Sequence, residues 1–171
     1  MLETPEELDR LQTVLDASMA SAGPHLSSII TKERRLDAPQ LAERLQGMRL
    51  LVLATVTADG RPLVGPVDGY FLHGTFWFSS GTESVRMRHL AARPQCSATY
   101  LPGEELAVTV HGRAERLLPM ADPAAAELRQ AMLDEYVPKQ GPAFEEWLND
   151  ANAIAARIEP ERMFTFNMAA H

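Results

Sequence analysis

The part of this sequence best suited to bind an anion is the polar segment 79–88, which reads SSGTESVRMR. It follows the apolar run TFWF and opens a short helical pattern, so it would lie at a helix N-terminus. Backbone N–H groups there are free to donate, and the helix dipole adds partial positive charge. Hydroxyl groups, Gly81, Arg86 and Arg88 complete a candidate phosphate pocket. An N-capped surface helix with solvated arginines explains the same residues, and the sequence alone leaves both interpretations open.

Helical geometry limits how these two arginines can act together. In a regular helix Arg86 and Arg88 lie roughly 200° apart, because each residue turns about 100°. Both can reach one phosphate only if one of them lies in the first turn. Ser84 and Arg88 are four residues apart and share a helix face.

Patterns for other catalytic chemistries do not occur in the sequence. There is no Walker motif, no G-x-S-x-G, no G-x-G-x-x-G and no carboxylate pair suited to acid–base hydrolysis, so no catalytic residue is assigned. Cys96 is the single cysteine, which excludes an internal disulfide and a cysteine-based metal cage. None of the histidines has a paired metal-ligand spacing, and no metal site is predicted; they are His25, His73, His89, His111 and His171.

Length and charge exclude several classes of protein. A chain of 171 residues suits one domain with a terminal appendage. The net charge of −7 argues against a broad nucleic-acid-binding surface, since such surfaces are strongly basic. No apolar run has the roughly 20 residues of a membrane helix, and the acidic start MLETPEELDR is unlike a signal peptide. We therefore expect a cytoplasmic protein that acts on a small molecule and binds neither membrane nor nucleic acid.

Hydrophobic periodicity predicts helices before a strand-rich middle. Thr4-Pro5-Glu6-Glu7 begins a helix with a capping-box spacing, and a second helix begins at Asp37. From Leu50 onward strands alternate with turns such as Asp59-Gly60. Pro66 cannot donate a ladder hydrogen bond, so its strand has an open edge or a bulge there.

Helices are expected to interrupt the strands twice. One covers residues 85–92, and an insert of about 122–150 contains Phe144 and Trp147, which either cover a site mouth or pack in the insert's own core. Two last strands, 154–158 and 163–168, would be joined by Glu159-Pro160-Glu161. The predicted fold is mainly β, a six-stranded antiparallel split β-barrel at 47–171 with an N-terminal helical extension at 1–46.

Several segments, in this order, resemble one known family. Asp59-Gly60-Arg61-Pro62 with Pro66-Val67, then SVRMRHL at 84–90, then the hairpin strand VTVHGRAERL are similar to the pyridoxamine 5′-phosphate oxidase-like split β-barrel proteins, the flavin and deazaflavin oxidoreductase superfamily. The resemblance covers about residues 40–118. The C-terminal RIEPERMFTFNMAAH lacks the Trp of the segment that distinguishes true pyridoxamine phosphate oxidases, which implies a different substrate.

The resemblance implies a cofactor and an assembly. The cofactor would be FMN, with the deazaflavin coenzyme F-420 as the alternative and haem as a weaker one. The protein would be a homodimer with its cofactor sites between the subunits. The cofactor ring would lie against the strand around residues 64–67, and the phosphate at the serines and arginines. The implied cofactor-binding residues are Val64, Pro66, Val67, Ser79, Ser80, Ser84, Arg86 and Arg88.

Two functions remain open at this stage. One is a flavin- or deazaflavin-dependent oxidoreductase, in which the cofactor carries the hydride chemistry and little side-chain signature is needed. The other is a flavin or haem carrier without turnover on the same barrel, because a fold does not fix a function. Lys32, Arg34 and Arg35 could hold the acidic tail of the deazaflavin, whereas the overall acidity favours FMN.

Overall fold

A closed antiparallel barrel forms the centre of the computed structural model, which describes residues 2–168. Within these residues six strands follow the order β1-β2-β3-β6-β5-β4 around the barrel. This arrangement confirms the predicted six-stranded antiparallel barrel. The strands are β1 Met48–Val56, β2 Pro62–Leu72, β3 Thr75–Gly81, β4 Gln95–Tyr100, β5 Leu106–Pro119 and β6 Ala153–Asn167.

The helices pack on the barrel, and an insert precedes the final strand as predicted. Short 3₁₀ turns at Lys32–Arg34 and Pro123–Ala125 accompany them. None of the helices in the described part of the chain is long and apolar enough to cross a membrane. The helices are α1 Pro5–Ala20, α2 Pro24–Ile29, α3 Ala38–Arg44, α4 Val85–Ala92, α5 Ala126–Gln140 and α6 Ala143–Asp150.

Two apolar clusters explain why the strand sequences are apolar on both faces. Phe71 and Phe76 point into the barrel, where they meet edge to face at 5.0 Å. Leu72 and Trp77 point outward and are covered by the insert helices α5 and α6. Leucines of α1 and α3 join the inner cluster, so the N-terminal helices share the barrel's core. A domain boundary at residue 46 stays a prediction.

The last strand differs from its prediction. The turn expected at Glu159-Pro160-Glu161 is wrong, because Ala153–Asn167 forms one continuous strand. Arg162 pairs with His111 and Pro160 pairs with Gly112, which leaves Glu161 as the extra residue of a β-bulge. A bulge tolerates a proline without its N–H, so a residue pattern typical of a turn lies inside a strand.

Half of β2 has a free edge. Pairing with β3 begins only at Gly69, whereas pairing with β1 extends to Pro62. Pro66 therefore lies where β2 has one neighbour, which confirms the predicted open edge. This edge borders the candidate site.

A histidine clamp joins three elements outside the barrel. His73, in the β2–β3 turn, contacts Glu7 of α1 through Nδ1 at 3.0 Å and Glu127 of α5 through Nε2. Burial alone would lower the pKa of His73, but the hydrogen bonds with the two carboxylates outweigh burial and raise it above its ordinary value of 6.5.

The clamp should make stability depend on pH above the carboxylate range. A raised folded-state pKa means that the stabilisation is fully present below the unfolded-state value and is lost as the pH rises through the folded-state value. We expect the melting temperature to fall as the pH rises above the ordinary histidine pKa of 6.5, and this slope to flatten in His73→Asn. Asn suits the positive φ of 56° at this position. Circular dichroism melts of both proteins measure the effect, and parallel pH profiles would contradict it.

Candidate functional site

The N-terminus of α4 forms one wall of a small cavity, here called the Arg86 cavity. Ser84 caps the helix, its hydroxyl accepting from the Met87 amide at 3.3 Å. The Ser80 hydroxyl donates to Ser84 Oγ at 3.1 Å, which brings β3 and the helix end together. The cavity holds about 290 Å³ and is lined by Leu53, Thr55, Leu63, Val64, Gly65, Ser80, Ser84, Val85 and Arg86.

Arg86 is the charged residue of this cavity. Its side chain is half-buried, and within residues 2–168 it forms no ion pair or side-chain hydrogen bond. A Cβ placed on Gly65 would lie 3.1 Å from Arg86 Nη2, so the glycine lets the guanidinium approach the open edge of β2. A half-buried cation beside hydroxyls and a helix N-terminus is suited to bind a phosphate.

The structure separates the residues predicted for this site. It brings Val64, Ser80, Ser84 and Arg86 together around the Arg86 cavity. Ser79 lines a second, neighbouring cavity. Pro66 is exposed on the open edge, Val67 is buried in the barrel core, and neither lines these two cavities.

Arg88 points away from the Arg86 cavity. It is exposed, and its guanidinium donates to the Glu83 carbonyl at 2.6 Å instead of lining either cavity. The separation of Arg86 and Arg88 matches the roughly 200° that helical geometry places between them. A direct role for Arg88 stays a prediction.

Two further contacts, which the sequence did not predict, hold the cavity wall. His89 Nδ1 lies 3.0 Å from Oγ1 of Thr55, a buried residue that lines the Arg86 cavity. The Arg93 guanidinium donates to the Val56 carbonyl at 3.0 Å. Both contacts fix α4 to β1, and their partners are 34 or 37 residues apart in sequence, so no local pattern could have indicated them.

A larger cavity of about 730 Å³ lies between β3 and the insert and is here called the aromatic cavity. Its aromatic wall consists of Tyr136, Phe144 and Trp147. Ring centroids are 4.9 Å apart between Tyr136 and Phe144 and 5.3 Å apart between Phe144 and Trp147. Phe144 is also part of the insert's buried core, whereas Trp147 is largely exposed at the mouth. The core interpretation is confirmed for Phe144, and a role of Trp147 in covering a site stays a prediction.

A hydrogen-bonded pair lies in the same cavity. The Tyr136 hydroxyl donates to Asp68 Oδ2 at 2.5 Å. Burial raises the pKa of Tyr136, and the hydrogen bond to Asp68 and its charge raise it further, so the phenol stays protonated. Asp68 lies in the middle of β2 and was not among the predicted site residues.

The two cavities are adjacent but differ in charge. Ser80 lines both of them. The cation of the smaller is Arg86, and the charged residue of the larger is Asp68. The Thr82 amide and hydroxyl both donate to the Asn152 carbonyl, at 2.8 and 2.7 Å, which joins the loop before α4 to the end of the insert. The smaller cavity therefore suits an anionic group, and the larger cavity suits an apolar, flat one.

Comparison with known proteins places the chain in a family. Residues 38–165 match the family model described as "Pyridoxamine 5'-phosphate oxidase". A pyridoxine/pyridoxamine 5′-phosphate oxidase from Ectopseudomonas mendocina is 43% identical over 72 residues, which are 40% of this chain. That match spans only 33% of the curated relative's length.

Solved structures share the fold at low sequence identity. The haem storage protein HutZ from Vibrio cholerae has a TM-score of 0.62 and 20% identity, covering 77% of this chain and 97% of its own. A structure described as an F-420 reductase has a TM-score of 0.54 and 21% identity, and the match covers 70% of this chain and 91% of that structure's chain. Proteins that share this fold therefore include one described as an F-420 reductase and one described as a haem storage protein. Because the family model matches most of this chain, at residues 38–165, the chain belongs to the pyridoxamine 5′-phosphate oxidase family.

Proposed function

We propose that this protein is a flavin- or deazaflavin-dependent oxidoreductase that holds the cofactor phosphate in the Arg86 cavity. The observation that carries the proposal is the half-buried Arg86, which has no ion-pair partner among residues 2–168 and lies beside Ser80 and Ser84 at the N-terminus of α4. An arginine kept away from carboxylates and facing hydroxyl donors suits a permanent anion, because guanidinium and phosphate form charge-assisted hydrogen bonds.

The cofactor ring extends from that phosphate along the open edge of β2. Val64 is 60% exposed there and Leu63 is 44% exposed, so apolar surface is available to a flat ring. Backbone groups of residues 62–67 that do not pair with β3 can hydrogen-bond the ring. When bound, the cofactor supplies hydride transfer, while the chain binds it, orients it and excludes water.

A homodimer completes this site. Leu50 and Val52 of β1 are 56% and 48% exposed, and Val64 of β2, which pairs with Ala54, lies on the same face, so apolar side chains are uncovered on two neighbouring strands. Isolated surface leucines are ordinary, but a group of them indicates an interface. A second copy on this face would also cover the ring beside β2.

FMN fits the charges of the chain better than coenzyme F-420. The deazaflavin carries an acidic tail that needs a basic track. Lys32 and Arg35 line a separate cavity together with the acidic Asp16, Glu33 and Asp37. Two Arg35 nitrogens already donate to the Ile30 carbonyl, at 3.2 and 3.1 Å.

A visible absorption spectrum and parallel titrations test the proposal. We expect the purified protein to bind FMN saturably and more tightly than coenzyme F-420, and the bound cofactor to be reducible by NAD(P)H and reoxidised. Native mass spectrometry of the same sample should show two chains with two cofactors. Binding of neither flavin would overturn the proposal. Binding of a cofactor that cannot then be reduced would identify the protein as a flavin carrier without turnover.

Haem is the competing ligand, and the same spectrum detects it. No histidine of the described residues lines the Arg86 cavity or the aromatic cavity, although histidine is a common axial ligand of haem. A Soret band that grows on haem titration would replace the redox proposal with a haem-binding function.

A further inference from the structure

The aromatic cavity contains a carboxylate with an unused acceptor. Asp68 Oδ2 accepts from Tyr136, whereas no residue of the described part of the chain donates to the other carboxylate oxygen. The tyrosine hydrogen bond orients the carboxylate and leaves that oxygen free to accept from a bound molecule. Asp68 is only half-buried, so a molecule in the cavity can reach this oxygen.

The remaining lining carries no positive charge. Among the described residues that line the aromatic cavity there is no Lys, Arg or His, and the other polar side chains are neutral serines and amides. A phosphate in this cavity would face the Asp68 carboxylate without a cation to offset it. Like charges repel one another in a partly buried site, so this cavity disfavours a phosphate.

The aromatic wall of the same cavity favours flat rings. Tyr136, Phe144 and Trp147 stand at interplanar angles of 35° and 34° to their neighbours, which gives a gently curved aromatic surface. Aromatic surfaces attract planar conjugated molecules, and they attract cations in particular through the ring quadrupole. A volume of about 730 Å³ admits a molecule of two or three fused rings.

We propose that the aromatic cavity binds a planar aromatic molecule that carries a cationic or N–H-donating group and no phosphate. The ring lies on the aromatic wall, and the donor group meets the free oxygen of Asp68. Ser80 lines both this cavity and the Arg86 cavity, so the bound molecule would lie beside the cofactor site. Its role as the substrate of an oxidoreductase rests on the function proposed above. The chain thus separates its anion site from its substrate site by charge.

Two probes of similar size and opposite charge test the ligand class. Proflavine is a planar tricyclic cation, and anthracene-2-carboxylate is a planar tricyclic anion. Calorimetric titration of the full chain should show that proflavine binds at least about tenfold more tightly, a difference of about 1.4 kcal/mol. Equal affinities, or tighter binding of the anion, would overturn the assignment.

Substitutions locate the binding. Asp68→Asn should weaken proflavine about tenfold and remove most of the preference for the cation. Asp9→Asn is the matched control, because it removes the same charge from an exposed position of α1. Trp147→Ala should weaken both probes alike, roughly three- to tenfold, since it removes aromatic surface and no charge. A cation preference that persists in Asp68→Asn would contradict the role of Asp68.

Cofactor titrations on the same variants separate this inference from the redox function. Asp68→Asn should change the dissociation constant of FMN by no more than about twofold. Arg86→Ala should likewise change the dissociation constant of proflavine by no more than about twofold. If FMN fails to bind while the charge preference holds, the redox function falls and the ligand class of the cavity stands. If FMN binds but displaces proflavine, the cavity holds the cofactor ring and the inference falls.

Discussion

Gly112→Ala is expected to be the most destabilising of the single substitutions considered for this protein, by about 3 kcal/mol or more. A Cβ at this position would lie 2.0 Å from the Glu159 carbonyl oxygen and 3.0 Å from its carbon. Both atoms belong to the backbone of β6, so no side-chain rotation can relieve the clash. Accommodation would require β5 and β6 to separate at the bulge that joins them.

Thermal unfolding followed by circular dichroism measures this effect. For a chain of this size, 3 kcal/mol corresponds to a fall in melting temperature of roughly 6–12 °C. Gly103→Ala is the matched control, because a Cβ there meets nothing within 4 Å. Its stability should stay within about 0.5 kcal/mol of the original chain. Equal melting temperatures of the two variants would mean that β5 and β6 do not approach each other as closely as described.

The same bulge shows where sequence reasoning fails. Short-range rules correctly predicted the capping box at Thr4, the Asp59-Gly60 turn and the start of α4 after Ser84, because their physical causes lie within a few residues. The sequence Glu159-Pro160-Glu161 satisfies those rules for a turn. It stays in a strand because its partner, Gly112, lies 48 positions earlier, and no local rule can include that contact.

Part of the candidate site could also be predicted from local sequence, and part of it could not. Ser84 and Arg86 could be predicted because a helix N-terminus with hydroxyls and arginines is a local anion-binding pattern. The periodicity of a regular helix also predicted that Arg88 faces away from Arg86. Asp68 and Tyr136 form their hydrogen bond across 68 residues and lie on different elements, so only the folded chain brings them together.

Arg86→Ala is expected to weaken FMN binding about 10- to 150-fold, which corresponds to about 1.5–3 kcal/mol for a charged hydrogen bond. The physical reason is that Arg86 is the charged residue lining its cavity and that no carboxylate in the described part of the chain pairs with it. Arg86→Lys keeps the charge but loses the planar fork of donors, so its dissociation constant should fall between those of the alanine variant and the original chain. Fluorescence titration of FMN measures all three proteins.

Arg88→Ala provides the sharpest comparison, because it removes the same group two residues away. Its guanidinium lies outside the cavity, so the loss should be below about 1 kcal/mol, as for an exposed charge. Arg113→Ala, on the exposed side of β5, controls for the change in net charge. A larger loss in Arg88→Ala than in Arg86→Ala would move the phosphate to the opposite face of α4. Unchanged affinity in both would reduce Ser84 to the cap of a surface helix and remove the main support for the redox function.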